Sequence, residues 1–233
     1  MDLVFDTSME LVFDQRSANS SFVEMVWHTH SERAGTFTPV AVSNWEMVIT
    51  TFNGKTMITA RGPETKASEA DFPADAEFFG ITFKLGTFMP HLPIKSLLDR
   101  QDATLPEASS NSFWLYGSAW ELPTFENSDV FVDRLIRKGI LVRDPVVEAA
   151  IQGHALDVSI RSLQYRFLRA TGLTHMTIRQ IDRARSAVSL LEQGTPHLRH
   201  CPRARLCRSG TPDQFAEAFH RKNARANHSK MHG

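Results

Sequence analysis

Two helices joined by a tight turn are predicted within residues 157–194, and this stretch constrains the fold more than any other. Ser159 is a good N-cap, because its hydroxyl can accept a backbone N–H of the first helical turn. Gly172 supplies the left-handed residue at which a helix commonly ends. Thr174 can cap a second, longer helix, which is predicted to end at residues 194–196, where the chain reads Gly-Thr-Pro.

The first of these helices is predicted to have an apolar and a polar side. Leu163, Phe167 and Leu168 are expected on the inner, apolar side. The polar side carries planar side chains with several hydrogen-bond donors, the kind that read base edges in the major groove of DNA. We expect base contacts from Arg161, Gln164 and Tyr165 and phosphate contacts from Ser159 and Arg169.

A helical hairpin from any α-domain has the same spacing, so spacing alone leaves that interpretation open. The residues themselves resemble the first helix-turn-helix of AraC/XylS-type transcription regulators, in the pattern S-x-R-x-L-Q-x-R-F, then T-G, then R-x-x-x-A-x-x-L-L-x-x-G. The matching positions are Ser159, Arg161, Leu163, Gln164, Arg166, Phe167, Thr171, Gly172, Arg183, Ala187, Leu190, Leu191 and Gly194. Tyr165 stands where the family usually has Arg. This difference affects which base is preferred at the DNA position that Tyr165 is expected to contact.

Residues 1–95 predict a β-rich domain. Short segments of β-branched and aromatic residues, at 22–27, 45–52, 55–60 and 78–83, are separated by turn residues. Asn53-Gly54, between two of the segments, is a strong signal for a type I′ hairpin. Several short strands with turns between them favour a small barrel or sandwich.

This half resembles the cupin-like β-domain that precedes the DNA-binding domain in one group of AraC-type regulators. The resembling stretches are residues 52–54 (Phe-Asn-Gly), 61–63 (Arg-Gly-Pro) and 80–86, and in the last of them Leu85 replaces the usual Pro of a G-x-x-F-x-P-G turn. The resemblance implies a sensing or dimerising domain, with a small-molecule effector and a second copy of the chain as expected partners.

Two histidines raise the question of a metal site. His28 and His30, followed by Glu32, resemble the metal-binding motif of cupin enzymes, and two residues at i and i+2 of a strand share a face. They follow the predicted strand in a polar, loop-like stretch, however, and further ligands would have to come from elsewhere. Solvated loop histidines are the preferred interpretation, and we expect neither a metal nor a cofactor.

Residues 96–143 are expected to form a helical connector, with a helix at 128–138 that ends at Gly139. An apolar cluster at residues 113–122 is interpreted as core, with a dimer face as the alternative. Asp144 followed by proline starts the next helix in the preferred order, an N-cap and then Pro at the first helical position. That helix is expected to pack behind the helix that starts at Ser159 and carries the proposed base-reading side chains, here called the reading helix.

Charge is divided unevenly along a chain whose formal net charge is zero. Lys and Arg number 12 against 19 Asp and Glu in residues 1–143, 6 against 5 in residues 144–196, and 8 against 2 in residues 197–233. The weak positive charge of the middle region counts modestly against strong non-specific DNA binding. No apolar run reaches the roughly 18 residues that span a bilayer. No signal peptide is predicted either, so the expected location is the cytoplasm.

Residues 197–233 do not continue the family resemblance. They contain no Val, Ile, Trp or Tyr but five of the ten His, and both cysteines, Cys201 and Cys207, at a spacing that fits no zinc site. This composition predicts a disordered basic tail. One consistent choice of allowed codons from His197 onward, read one base later, gives G-Y-x-D-Q-x-H-L-x-x-x-L-K-R-F-x-G-x-T-P, which resembles the family's second helix-turn-helix. We therefore interpret the tail as a frameshift product.

The sequence thus predicts an α+β chain with four parts: a cupin-like β-barrel domain at 1–95, a helical connector at 96–143, the first helix-turn-helix and linker helix at 144–196, and a disordered tail at 197–233. The resemblance implies a sequence-specific transcription regulator that binds double-stranded DNA and is not an enzyme. Each helix-turn-helix unit of such a regulator is here called a reader, and this chain is expected to be impaired by the loss of its second reader. The alternative is a small-molecule-binding cupin-like protein or metalloenzyme with a vestigial DNA-binding half.

Overall fold

The protein has a mixed α/β fold, in which strands dominate the N-terminal part and helices the C-terminal part. A computed structural model describes residues 11–17, 20–154 and 156–192. Its strands are β1 Leu11–Ser17, β2 Val23–Ser31, β3 Gly35–Phe37, β4 Glu46–Phe52, β5 Lys55–Arg61, β6 Ala70–Phe72, β7 Ala76–Phe83, β8 Thr87–Phe88, β9 Ala103–Thr104, β10 Glu107–Ser109, β11 Ser112–Leu115, β12 Ser118–Glu121 and β13 Val142–Arg143.

The helices lie towards the end of the described chain. They are α1 Ser128–Arg137, α2 Pro145–Ile151, α3 Ile160–Thr171 and α4 His175–Glu192, preceded by a 3₁₀ segment at Ile94–Arg100. None of the described helices combines the length and the apolar character needed to cross a membrane. The predicted helix end at residues 194–196 and the predicted tail at 197–233 lie outside the described residues.

The largest sheet has six antiparallel strands in the order β1-β2-β7-β4-β5-β9. It is open, with β1 and β9 as its edges. The predicted hairpin is confirmed at Asn53 and Gly54, whose φ angles of 50° and 70° suit a type I′ turn and bring Phe52 opposite Lys55. Smaller sheets are formed by β10-β11-β12, by β13-β8 and by β3-β6.

One face of the large sheet carries the main core. Met47 lies opposite Ile81, and Ile49 lies between Phe79 and Ile58, so these side chains point to the same side. Helix α1 contributes buried residues to the same cluster, which also includes buried residues of the small β10-β11-β12 sheet. The α1 and small-sheet members are Phe113, Leu115, Trp120, Phe131, Val132 and Leu135.

His28 and His30 lie within β2, so the prediction of a loop there was wrong. β2 is an inner strand, paired with β1 on one side and with β7 on the other, and these ladders extend it to Ser31. The two histidines alternate with Thr29, which is 5% exposed. Within the described ranges, no three His, Cys, Asp or Glu side chains form a group that could hold a metal ion.

The prediction of a helical connector at residues 96–143 was also wrong, because only α1 and the end of the 3₁₀ segment are helical in this range. β9 extends the large sheet by pairing with β5, and β10, β11 and β12 form a sheet of their own. A tight turn at Tyr116 and Gly117, with φ angles of 49° and 71°, connects β11 to β12. The core interpretation holds for Phe113, whereas Trp114, the next residue along the strand, is 48% exposed.

Candidate nucleic-acid interface

Helix α3 and the start of α4 have the predicted caps. Ser159 has extended backbone angles, and its Oγ accepts a hydrogen bond from the backbone N–H of Ser162 at 3.2 Å. Gly172 ends α3 in the left-handed conformation, with φ of 70°. Thr174 accepts a hydrogen bond from the backbone N–H of Thr177 at 3.1 Å. These three predictions are confirmed, and they define two helices joined by residues 172–174.

The inner side of α3 differs from the prediction at one residue. Leu163, Phe167 and Ala170 are buried, with at most 5% exposure, but Leu168 is 40% exposed. The assignment of Leu168 to the inner side was therefore wrong. At about 100° per residue, Leu168 lies roughly 140° around the helix from Leu163, which turns it towards solvent.

The outer side of α3 carries the predicted reading residues. Arg161, Gln164, Tyr165 and Arg169 are all exposed, and Tyr165 is 65% exposed. Positions i, i+3, i+4 and i+8 of a helix lie along one side, so these side chains form a continuous row. Ser159, also exposed, precedes the row at the N-cap.

The C-terminal end of α3 packs on the β-rich part of the chain. The Arg169 guanidinium carbon lies 5.3 Å from the centroid of the Phe88 ring, within the range of a cation–π contact. A Cβ at Gly172 would lie 3.0 Å from the backbone nitrogen of Lys95, so the chain at that turn lies close to the 3₁₀ segment. Arg169 is therefore at the border between the exposed row and the β-rich part.

Asp144 joins α2 to α3 through a contact that the sequence analysis missed. Its Oδ1 accepts hydrogen bonds from the backbone N–H groups of Val146 at 2.9 Å and Val147 at 3.2 Å, which confirms the predicted N-cap. The same carboxylate forms an ion pair with Arg166, with Nη1 to Oδ2 at 3.0 Å. The partners are 22 positions apart, so no local signal could have paired them.

The helices follow the β-rich part without a free linker. β13 pairs with β8, with Val142 opposite Phe88. Directly after β13, the backbone N–H of Asp144 donates to the carbonyl oxygen of Gly86 at 3.1 Å. The first residue of the α2 cap is therefore fixed to the turn between β7 and β8.

The contact between α3 and α4 includes a titratable ring. His175 packs edge-on against Phe167, with ring centroids 5.1 Å apart. Burial lowers the pKa of His175 below its ordinary value, and the nearby Arg179 lowers it further, while Asp182 acts in the opposite direction. Burial also raises the pKa of Asp182 above its ordinary value.

We expect the free energy of unfolding to fall as the pH drops through about 6.5, the ordinary pKa of histidine. Because the folded-state pKa of His175 is lowered, the unfolded chain binds more protons, and the stability contributed by neutral His175 is fully present only above the unfolded pKa. Replacing His175→Phe keeps a ring against Phe167 but cannot titrate. Urea unfolding between about pH 8 and pH 5 should show a shallower pH dependence for this variant. An unchanged slope would contradict the assignment.

The exposed row of α3 offers groups suited to nucleic acid: guanidinium groups for phosphates and guanine edges, an amide for adenine, and a phenol that can donate or accept. Its opposite side is buried, so α3 presents this row from a fixed helix. Comparisons with known proteins add no relative, since no family model, no curated protein and no solved structure matches the chain.

Proposed function

We propose that the chain is a sequence-specific DNA-binding transcription regulator of the AraC type, not an enzyme, and that it binds double-stranded DNA. In this proposal α2 and α3 form the helix-turn-helix, and α3 is the reading helix. The observation that supports it most is the exposed row of Arg161, Gln164 and Tyr165 on a helix whose opposite side is buried. Arg reads guanine and Gln reads adenine by paired hydrogen bonds in the major groove.

Each residue of the row has a role that follows from its place on α3. Arg161 and Gln164 lie in the N-terminal half, which enters the groove first in helix-turn-helix proteins. Ser159, at the N-terminus where backbone N–H groups favour anions, suits a phosphate. Tyr165 offers one hydroxyl in place of a guanidinium fork, so we expect weaker discrimination between bases at its step. Arg169 suits a phosphate at the border of the row.

We also propose that the β-rich part is a cupin-like domain that binds a small-molecule effector on the sheet face opposite the core. On that face Glu46 accepts hydrogen bonds from the Trp27 indole at 3.2 Å and from the Thr82 hydroxyl at 3.1 Å. The buried Thr29 Oγ1 has no hydrogen-bond partner among the described residues, and Thr29 shares the face of Trp27 as its i+2 neighbour. A ligand with hydroxyl groups would suit this face. The same observation supports the alternative function, a small-molecule-binding protein with a vestigial DNA-binding half.

Selection from a pool of random DNA duplexes tests the main proposal. The wild-type chain should enrich a defined sequence, and the triple variant Arg161→Ala, Gln164→Ala, Tyr165→Ala should enrich none. Arg137→Ala, which removes an exposed charge from α1, is the matched control and should enrich the same sequence as the wild type. No enrichment by the wild type at low salt would contradict the proposal, and a hydroxylated small molecule that stabilises the same protein would then favour the alternative.

A further inference from the structure

We infer that Asp144 is the positioning residue of the reading helix, acting through Arg166. Asp144 itself makes no contact with DNA in this inference. Its carboxylate sets how α3 is oriented against α2, and thereby where Gln164 and Tyr165 meet the bases. The inference rests on the proposed function of α3 and goes beyond it by naming what holds the reading helix in register.

The Asp144 carboxylate is bound on two sides. The side chain is 7% exposed, while that of Arg166 is 40% exposed. Oδ1 accepts from the first turn of α2, and Arg166 Nη1 lies 3.0 Å from Oδ2 and 3.3 Å from Oδ1. Hydrogen bonds between ionised partners are stronger than neutral ones, and the guanidinium plane restricts their geometry. One buried carboxylate therefore connects the start of α2 to the middle of α3.

Asp144 is itself held in place by the β-rich part. Its backbone N–H donates to Gly86, and the two residues before it form β13, which is paired with β8. The carboxylate thus starts from a backbone fixed by a sheet and by a turn. Through Arg166, the orientation of α3 is set relative to that fixed point.

The consequence for base reading follows from where Arg166 lies on α3. It is the neighbour of Tyr165 and lies two residues after Gln164, on the flank between the buried side and the exposed row. A rotation of α3 by roughly 10° moves side-chain tips about 1 Å, since the helix with its side chains is about 10–12 Å across. Hydrogen bonds to base edges weaken at such displacements, whereas contacts to phosphates tolerate them better.

Asp144→Asn separates the two roles of the carboxylate, which caps the N-terminus of α2 and pairs with Arg166. The asparagine oxygen can still accept from the N–H groups of Val146 and Val147, and Asn is among the best N-caps, so α2 keeps its start. The charge and the Oδ2 acceptor that pair with Arg166 are lost, because an amide nitrogen cannot accept from the guanidinium. We expect affinity for the selected duplex to fall about 3- to 10-fold. Affinity for random duplex should stay the same or rise, because removing a negative charge cannot weaken attraction to phosphates.

Two further variants isolate the positioning role. Glu148→Gln makes the same carboxylate-to-amide change one helical turn later and breaks the 2.9 Å ion pair with Arg143, which does not involve α3. It should leave the ratio of selected to random binding unchanged. Asp144→Ala also removes the cap and should lower the thermal midpoint more than Asp144→Asn does.

Titrations of Arg166→Gln, and of the double variant that combines Asp144→Asn with Arg166→Gln, against the selected and random duplexes complete the test. If Asp144 acts through Arg166, each single variant and the double variant should lose selectivity to the same extent. If Arg166 instead binds a phosphate, Arg166→Gln would weaken selected and random duplex alike and reduce the salt slope by about one unit. That result would overturn the inference, as would unchanged selectivity in Asp144→Asn. A wild-type chain that selects no sequence would instead contradict the proposed function.

Discussion

Restoring the alternative reading frame after Pro196 should tighten binding to a promoter fragment with sites for both readers by about 100-fold or more, because two linked readers bind as a bivalent unit. Once one reader is seated, the other acts at a high effective concentration. On our interpretation of residues 197–233 as a frameshift product, the shifted frame encodes the pattern that resembles a second helix-turn-helix. On the same interpretation, the present chain lacks both the contacts of a second reader and the advantage of linkage.

The single proposed reader has few positive side chains to place near phosphates. Arg161 and Arg169 are exposed on α3, and Arg179 and Arg183 are exposed on α4. Each phosphate neutralised contributes just under one unit to the salt slope. We therefore expect the chain to bind DNA with an affinity on the order of micromolar or weaker at physiological salt. The restored protein should prefer a site about one helical turn longer, because a second reading helix would enter the next major groove.

Titration of both proteins against one promoter fragment, at one salt concentration, measures this difference. A chain that ends after Glu192 is the control and should bind no more tightly than the chain with its present tail, because it loses the excess positive charge of residues 197–233. Nanomolar, sequence-selective binding by the present chain would show that a second reader is not needed. Sequencing the gene across the codons for residues 194–199 would show independently whether a base has been gained or lost.

The second large effect is expected from Gln164→Ala, which should cost about 1–3 kcal/mol on the selected duplex and relax preference at one base step. Gln164 is exposed on the N-terminal half of α3, where a base contact is geometrically favoured. Random duplex should bind the variant almost as well as the wild type. Gln152→Ala, which removes an exposed glutamine at the end of α2, is the matched control and should change neither affinity.

Arg169→Ala provides the contrasting result in the same titrations. It should weaken binding to all sequences about equally and flatten the salt dependence, because its proposed contact is to a phosphate. Since Arg169 also lies over Phe88, the thermal midpoint of the variant must be measured alongside. An equal loss on selected and random duplex for Gln164→Ala would contradict its reading role.

Local chemistry explains which parts of the fold could be predicted from the sequence. The caps at Ser159, Asp144 and Thr174, the left-handed end at Gly172 and the hairpin at residues 53–54 each depend on a few neighbouring residues. A short polar side chain or a glycine is enough to specify such a feature. The helix boundaries around the candidate site were therefore accessible without a structure.

The features that were missed depend on residues far apart in the sequence or on an unusual local residue. The pairing of β9 with β5 brings together Ala103 and Ala60, which no local pattern connects. The turn between β11 and β12 places Tyr116 at a positive φ, where Asn or Gly would have been the recognisable signal. The ion pair of Asp144 with Arg166 likewise depends on how α2 packs against α3.

The pairing of β13 with β8 has a consequence for how two copies of the chain would meet DNA. Residues 142–144 attach the start of α2 to the sheet and to the Gly86 turn, and Asp144 links that point to α3 through Arg166. If two copies associate through their β-rich parts, the distance and the rotational phase between their reading helices are set by that association. Half-sites on B-DNA face the same direction only at intervals of about 10.5 base pairs. The length of the spacer between half-sites would then be recognised as strictly as the bases themselves.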